Sequence, residues 1–122
     1  MNAVRLAPLG RIRARLRVPG DKSISHRALI LNAIAEGSGL VTGLAPGLDV
    51  RSTAGALAAL GAKLEPGPAG AMRVAGPEVW RARATVDCGN SGTTARLLLG
   101  GVASRARRGG VLEGGDSLVV QG

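Results

Sequence analysis

The hydrophobic period of this chain changes at Pro19-Gly20, and that change limits what its N-terminal part can become. Before it, Arg11, Arg13, Arg15 and Arg17 alternate with Ile12, Ala14, Leu16 and Val18, a period-2 pattern that puts the arginines on one face of a strand. After it, Asp21-Lys22-Ser23-Ile24-Ser25-His26-Arg27 leads into Ala28-Leu29-Ile30-Leu31 with a 3.6-residue period. The spacing predicts a strand over 11–18, a tight turn and a helix over 24–35. Asp21, Ser23 and Ser25 are good N-cap types. Lys22 and Arg27 fall in the first turns of the helix, where the macrodipole disfavours cations. A bound anion would complete such a site, because a helix N-terminus presents free N–H groups. These residues point to an anion-binding helix start, with Lys22, Ser23 and Arg27 directed at a small acidic ligand. An ordinary N-cap with a solvated lysine fits Asp21-Lys22-Ser23 equally well, and spacing does not separate the two readings.

The rest of the chain continues the alternation. Glu36-Gly37 ends the first helix, with Gly37 expected at C′. A strand over 39–44 and the Pro46-Gly47 turn follow, then a helix through Leu60 with Asp49 as its cap and Gly61 as its stop. The face Val50, Ala54, Leu57, Ala58 and Leu60 is apolar and small. Strands are expected over 62–65, 72–75, 85–88 and 111–113, the first two joined by the turn Pro66-Gly67-Pro68-Ala69-Gly70. The polar loop Gly89-Asn90-Ser91-Gly92-Thr93-Thr94 opens a helix to about residue 103. Strands alternating with helices indicate an α/β layer architecture. Trp80 is the only aromatic residue, so the core must be built from Ala, Val, Leu and Ile. Gly20–Arg27 and Gly89–Arg96 also align without a gap, each followed by a Leu-rich helix, as if one strand–loop–helix unit were used twice.

Charge and motifs narrow the function. The net charge of +8 comes from 16 basic and 8 acidic residues, which suits either nucleic acid or small anions. The basic residues form no run, and without Tyr or Phe there is no platform for stacking bases. Small anions are favoured, and the arginines at 11–17, like Arg73, Arg81 and Arg83, fit a solvated face. One cysteine, Cys88, excludes an internal disulfide and is expected to be a small buried hydrophobe. His26, the only histidine, lacks a triad or zinc partner at any recognisable spacing and reads as a helix-surface residue. The phosphate-loop pattern of nucleotide hydrolases fails, because Asp21 separates Gly20 from Lys22. The 89–94 loop is more specific: its glycines let backbone N–H groups approach an anion, and Thr93 and Thr94 add hydroxyls. No apolar run reaches membrane-spanning length and no signal-peptide h-region is present, so a cytoplasmic protein is expected.

Several ordered blocks resemble a known family. Leu16-Arg17-Val18-Pro19-Gly20-Asp21-Lys22-Ser23-Ile24-Ser25-His26-Arg27-Ala28 looks like the first signature of the 5-enolpyruvylshikimate-3-phosphate synthases. Asp49-Val50-Arg51-Ser52-Thr53, Leu60-Gly61-Ala62, Gly89-Asn90-Ser91-Gly92-Thr93-Thr94-Ala95-Arg96-Leu97 and Gly115-Asp116-Ser117-Leu118 resemble later blocks in the right order. The resemblance implies transfer of the enolpyruvyl group of phosphoenolpyruvate to the 5-hydroxyl of shikimate 3-phosphate, toward chorismate and the aromatic amino acids. It implies that Lys22 contacts both substrates, that Ser23 and Arg27 hold the shikimate carboxylate, and that Gly92 lines the phosphoenolpyruvate pocket. Asp49, Asn90, Thr93 and Arg96 are secondary candidates. No cofactor and no metal are implied, and neither a nucleic-acid nor a membrane partner; family enzymes are expected to be monomeric.

The family fold implied is a pair of domains made of repeated βαβαββ units, with the substrates in the cleft between them. Residues 1–18 would then be a first strand that pairs with the other domain, and 19–122 part of the N-terminal domain. After Leu118 the chain reads Val119-Val120-Gln121-Gly122 where the family continues with basic residues and a proline. A truncated or frame-shifted product without turnover of its own is therefore expected. The alternatives are the sister transferase acting on a UDP-linked amino sugar, which typically has Asn at the place of Ser23, a basic anion- or nucleic-acid-binding module, and an inert remnant.

Overall fold

The fold is described from a computed structural model, which describes residues 3–8, 10–81, 84–105, 111–113 and 117–121. Asp21 follows Pro19-Gly20, where the expected tight turn is not formed, and caps the first helix, α1 (Lys22–Ile34), by accepting the Ile24 N–H at 2.8 Å. The helix thus begins two residues before the expected start. Its C-cap is Ala35, and Gly37 (φ +82°) lies two residues beyond the cap rather than at C′. Strand β1 (Ser38–Val41) leads to helix α2 (Leu48–Ala59). Gly47, not Asp49, is the N-cap of α2, so Asp49 is its second residue. A cap needs extended backbone followed by helix, and Gly47 already supplies it. The far end of α2 follows the sequence: Gly61 adopts φ +107°, Ala62 N–H bonds Leu57 O and Gly61 N–H bonds Ala58 O, the double bond of a Schellman stop.

Strand β2 (Lys63–Pro66), a 3-10 turn (Pro68–Gly70) and strand β3 (Met72–Ala75) form a hairpin. β3 also pairs with β1, giving an antiparallel sheet of order β1-β3-β2. Val74 on its inner face is fully buried between Gly39 and Leu64, while Arg73 on the outer face stands opposite Glu65. Strand β4 (Ala84–Asp87), helix α3 (Gly92–Arg105), strand β5 (Val111–Glu113) and strand β6 (Ser117–Gln121) make a second antiparallel sheet of order β4-β6-β5. β6 was not among the expected strands, although Leu118-Val119-Val120 carries a β-branched signal.

The two halves share one topology. In each, a strand, a helix and a second strand are followed by a third strand that inserts between the first two. The structural repeat therefore pairs α2 with α3, whereas the sequence echo pairs α1 with α3. Even the echo is out of register at its caps, for α1 begins at Lys22 and α3 at Gly92, one position later than Gly20 and Gly89 would place it.

The strand expected over 11–18 is absent. Residues 11–18 carry no regular structure and are exposed, and neither sheet pairs with them. Alternation favours a strand only where a neighbouring ladder satisfies its backbone and covers its apolar face. Arg83, Gly115 and Asp116 lie outside the described residues.

The core sits where the three helices pack on one another, with the fully buried Leu29, Leu57 and Leu98 contributed by α1, α2 and α3 in turn. Trp80 closes it: its ring lies over Gly101 of α3, close enough that a Cβ there would stand 2.8 Å from the indole, and its N–H reaches Ala33 O at 3.5 Å. Cys88 is buried in the same core. Ala58, counted in the apolar face of α2, is exposed; Thr53 and Ala56 take buried positions instead. No helix among the described residues is long and apolar enough to cross a membrane.

Candidate functional site

The first turns of all three helices meet at one place. Lys22, the first residue of α1, donates from Nζ to Asp49 Oδ2 on α2 at 2.6 Å. The Asp49 carbonyl lies 3.4 Å from Thr94 Oγ1, in the first turn of α3. Ser91 caps α3, its Oγ accepting the Thr94 N–H at 3.2 Å. Three positive dipole ends therefore converge, and Asp49 is the only acidic side chain in any of the three first turns. Ser25 fastens the loop above them, donating to Asp21 O at 2.7 Å and accepting from Ala45 N–H at 2.9 Å.

This geometry corrects one step of the sequence argument. Lys22 has a partner within the chain, so no bound anion is required to explain a cation there. The pair is open to solvent, with side chains 54% and 33% exposed. The hydrogen bond from Lys22, helped by its charge, holds the Asp49 carboxyl below the usual carboxylate range. A ligand arriving at Lys22 must share the ammonium with Asp49 or displace it.

The remaining candidates fall into neighbouring pairs. Ser23 is exposed, and its carbonyl accepts from Arg27 Nη1 at 3.0 Å. Arg27 also borders a small apolar cleft of about 270 Å³ with Ile30, Leu31 and Leu97. Gly92 begins α3, and a Cβ there would meet only the Arg96 guanidinium, at 3.5 Å. Asn90 and Asp49 line an open groove of about 710 Å³ between α2 and β4. Neither Lys22, Ser23, Arg27 nor Gly92 lines that groove. Thr93 is half-buried. Thr94, read as a hydroxyl for a ligand, is fully buried and engaged inside the protein. The Gly89 N–H is likewise taken, by Asp87 Oδ1 at 2.7 Å. Among the described residues, no group of three or more His, Cys, Asp or Glu is placed to hold a metal ion.

A buried polar layer beneath these residues was missed. His26, expected on the helix surface, has 0% exposure. Its Nδ1 lies 2.6 Å from Thr53 Oγ1, which lies 2.8 Å from Thr94 Oγ1, itself 2.8 Å from Ser91 Oγ. The signal was position rather than residue type. His26 shares the buried stripe of Leu29, Ile30 and Ala33, and Thr53 that of Val50, Ala56, Leu57 and Leu60, each with helical spacing. Burial pushes the His26 imidazole below its ordinary value, and Lys22 and Arg27 act in the same direction against the attraction of Asp49.

Comparison with known proteins gives the family of the chain. The family model described as EPSP synthase (3-phosphoshikimate 1-carboxyvinyltransferase) matches residues 6–120. A 3-phosphoshikimate 1-carboxyvinyltransferase of Thermus thermophilus is 48% identical over 97% of this chain and 28% of its own length. One of Afipia carboxidovorans is 59% identical over 73% of this chain and 21% of its own length. A solved EPSP synthase from Acinetobacter baumannii superposes with a TM-score of 0.65 at 40% identity, covering 72% of this chain and 21% of that one. A second structure of an EPSP synthase from that organism gives 0.68 at 30% identity, covering 88% and 32%. The chain thus spans about a quarter of the length of the curated relatives it matches. On sequence, fold and the order of its motifs, this chain belongs to the EPSP synthase (3-phosphoshikimate 1-carboxyvinyltransferase) family.

Proposed function

We propose that this chain supplies one wall of an enolpyruvyl-transfer site that takes shikimate 3-phosphate and phosphoenolpyruvate. The observation that carries the reading is the convergence of three helix N-termini, edged by exposed Lys22, Ser23 and Arg27, in a chain of this family. Both substrates are anions with carboxylate and phosphate groups, which helix starts and cations bind. Arg27 offers a planar fork for the shikimate carboxylate, with Ser23 beside it. Lys22 is a point charge between the two substrates, and Asp49, sharing its ammonium, orients it. Gly92 gives phosphoenolpyruvate an approach to backbone without a side chain, with Asn90, Thr93 and Arg96 around it.

The reaction is attack of the shikimate 5-hydroxyl on the enolpyruvyl carbon, with loss of phosphate. Transfer of this kind needs groups on both sides of the reacting atoms, and the residues here present cations, hydroxyls and glycine backbone to one side. The chain by itself binds without turnover. Residues 1–18 belong, in this reading, with the opposite wall, and the protein is a cytoplasmic monomer without a nucleic-acid partner. The UDP-sugar and nucleic-acid alternatives are not favoured by the family match.

Gly92→Ala tests the reading. Its Cβ meets nothing closer than 3.5 Å, so folding should be unaffected. In a full-length enzyme carrying this segment, the apparent affinity for phosphoenolpyruvate should fall. An unchanged affinity would count against Gly92 as a pocket residue. Phosphate release by the isolated chain that depends on both substrates would overturn the one-wall assignment.

A further inference from the structure

Lys22 and His26 are four residues apart on α1, and Asp49 and Thr53 are four apart on α2, so each pair stacks on one face of its helix. The contacts Lys22–Asp49 and His26–Thr53 therefore form two rungs between helices that run in the same direction, one turn apart, both with a sequence offset of 27. The outer rung is exposed and ionic, and the inner one is buried and neutral. An exposed ion pair holds two long side chains weakly, because water and salt compete for it. A buried hydrogen-bonded contact does not have that competition.

We propose that His26 is a positioning residue: through Thr53 and Thr94 its imidazole fixes the stagger of α1 against α2 and α3, and so sets Lys22 against Asp49. The direction of the chain follows from its ends. His26 Nε2 is buried and has no hydrogen-bond partner among the described residues. A bare buried N–H is rarer in proteins than an under-used acceptor, which makes Nε2 the unprotonated nitrogen. Nδ1–H then donates to Thr53, Thr53 to Thr94, and Thr94 to Ser91 Oγ, using one hydrogen at each step. The charged groups around the ring are Lys22 and Arg27 on α1 and Asp49 on α2.

The inference rests on Lys22 and Asp49 as the working edge of the site, the reading proposed above. Its test uses no substrate, so a failure of positioning and a failure of binding are told apart. The readout is the nuclear Overhauser contact between the Lys22 Hε and Asp49 Hβ protons in the full chain at pH 7, where the imidazole is neutral. Thr53→Val breaks the inner rung without removing a charge. It should abolish the Lys22–Asp49 contact, although both residues are still present. His26→Gln, which keeps an amide donor, should retain the Lys22–Asp49 contact. A folded Thr53→Val chain that keeps the contact at wild-type intensity overturns the proposal, and so does its loss in His26→Gln. Should Thr53→Val not fold, the nitrogen-15 spectrum of the wild-type imidazole decides. A neutral ring protonated at Nδ1 supports the proposal, and a ring protonated at Nε2, or at both nitrogens at neutral pH, overturns it.

Discussion

Gly20→Ala should be among the more damaging single-methyl changes in this chain, for a reason readable in the backbone. A Cβ at Gly20 would stand 1.8 Å from the Gly43 carbonyl oxygen, 3.0 Å from its carbon and 3.1 Å from Ala45 N. All three are backbone atoms, so no side-chain rotation relieves the clash, and either the 43–45 turn or the residues before α1 must move. The turn is tied to α1 by the Ala45 N–H to Ser25 Oγ bond at 2.9 Å, which such a movement breaks. Overpacking of this kind costs about 1–3 kcal/mol and a lost hydrogen bond about 1 kcal/mol more, or roughly 2–4 kcal/mol together. A domain of this size has on the order of 5–15 kcal/mol to lose. Trp80 is the sole tryptophan and is buried, so its fluorescence reports urea unfolding directly. The expected result is a lower midpoint at unchanged slope. Gly10→Ala, with nothing within 4 Å of its Cβ, is the control and should leave the midpoint where it is. A Gly20→Ala midpoint equal to that of the control would refute the docking of the α1 start against the 43–45 turn.

Gly61→Ala should cost about 1–2 kcal/mol, because φ +107° at the Schellman stop of α2 disfavours any side chain; a urea midpoint unchanged by the substitution would contradict that. Acidification should weaken the fold in the window just below pH 6.5. The folded His26 binds its proton less readily than the unfolded one, so its contribution is complete above the unfolded value and is lost as pH falls through and below it. Thermal melts at pH 7 and at mildly acidic pH should show this loss for the wild type and a smaller one for His26→Gln; equal losses would contradict it.

What was legible in the sequence was local. The α/β alternation, the helix start just after Pro19-Gly20 and the Gly61 stop depend on neighbours within a few residues, and they stand in the structure. What failed depended on distant partners. Alternation at 11–18 could not reveal that no strand lies beside it. Asp49 satisfied the preference for a cap, but Gly47 stood two residues earlier, and the carboxylate had a use 27 residues away at Lys22. His26 was judged by its chemistry as a surface residue, although its place in the 26-29-30-33 stripe put it in the core. Of the candidate site, the sequence thus showed Lys22, Ser23 and Arg27 only as neighbours at the α1 start. Its electrostatics came from a lysine–aspartate contact between helices that no local pattern encodes.

The most direct test of the proposed binding face is calorimetric titration of the chain with shikimate 3-phosphate, beside Lys22→Ala and Arg27→Ala. Hydrogen bonds to charged groups contribute about 1.5–3 kcal/mol each, so saturable binding by the wild type should weaken tenfold or more in either variant. Three superimposable isotherms, or a wild type that takes up no ligand, would contradict the assignment of this face to the substrate.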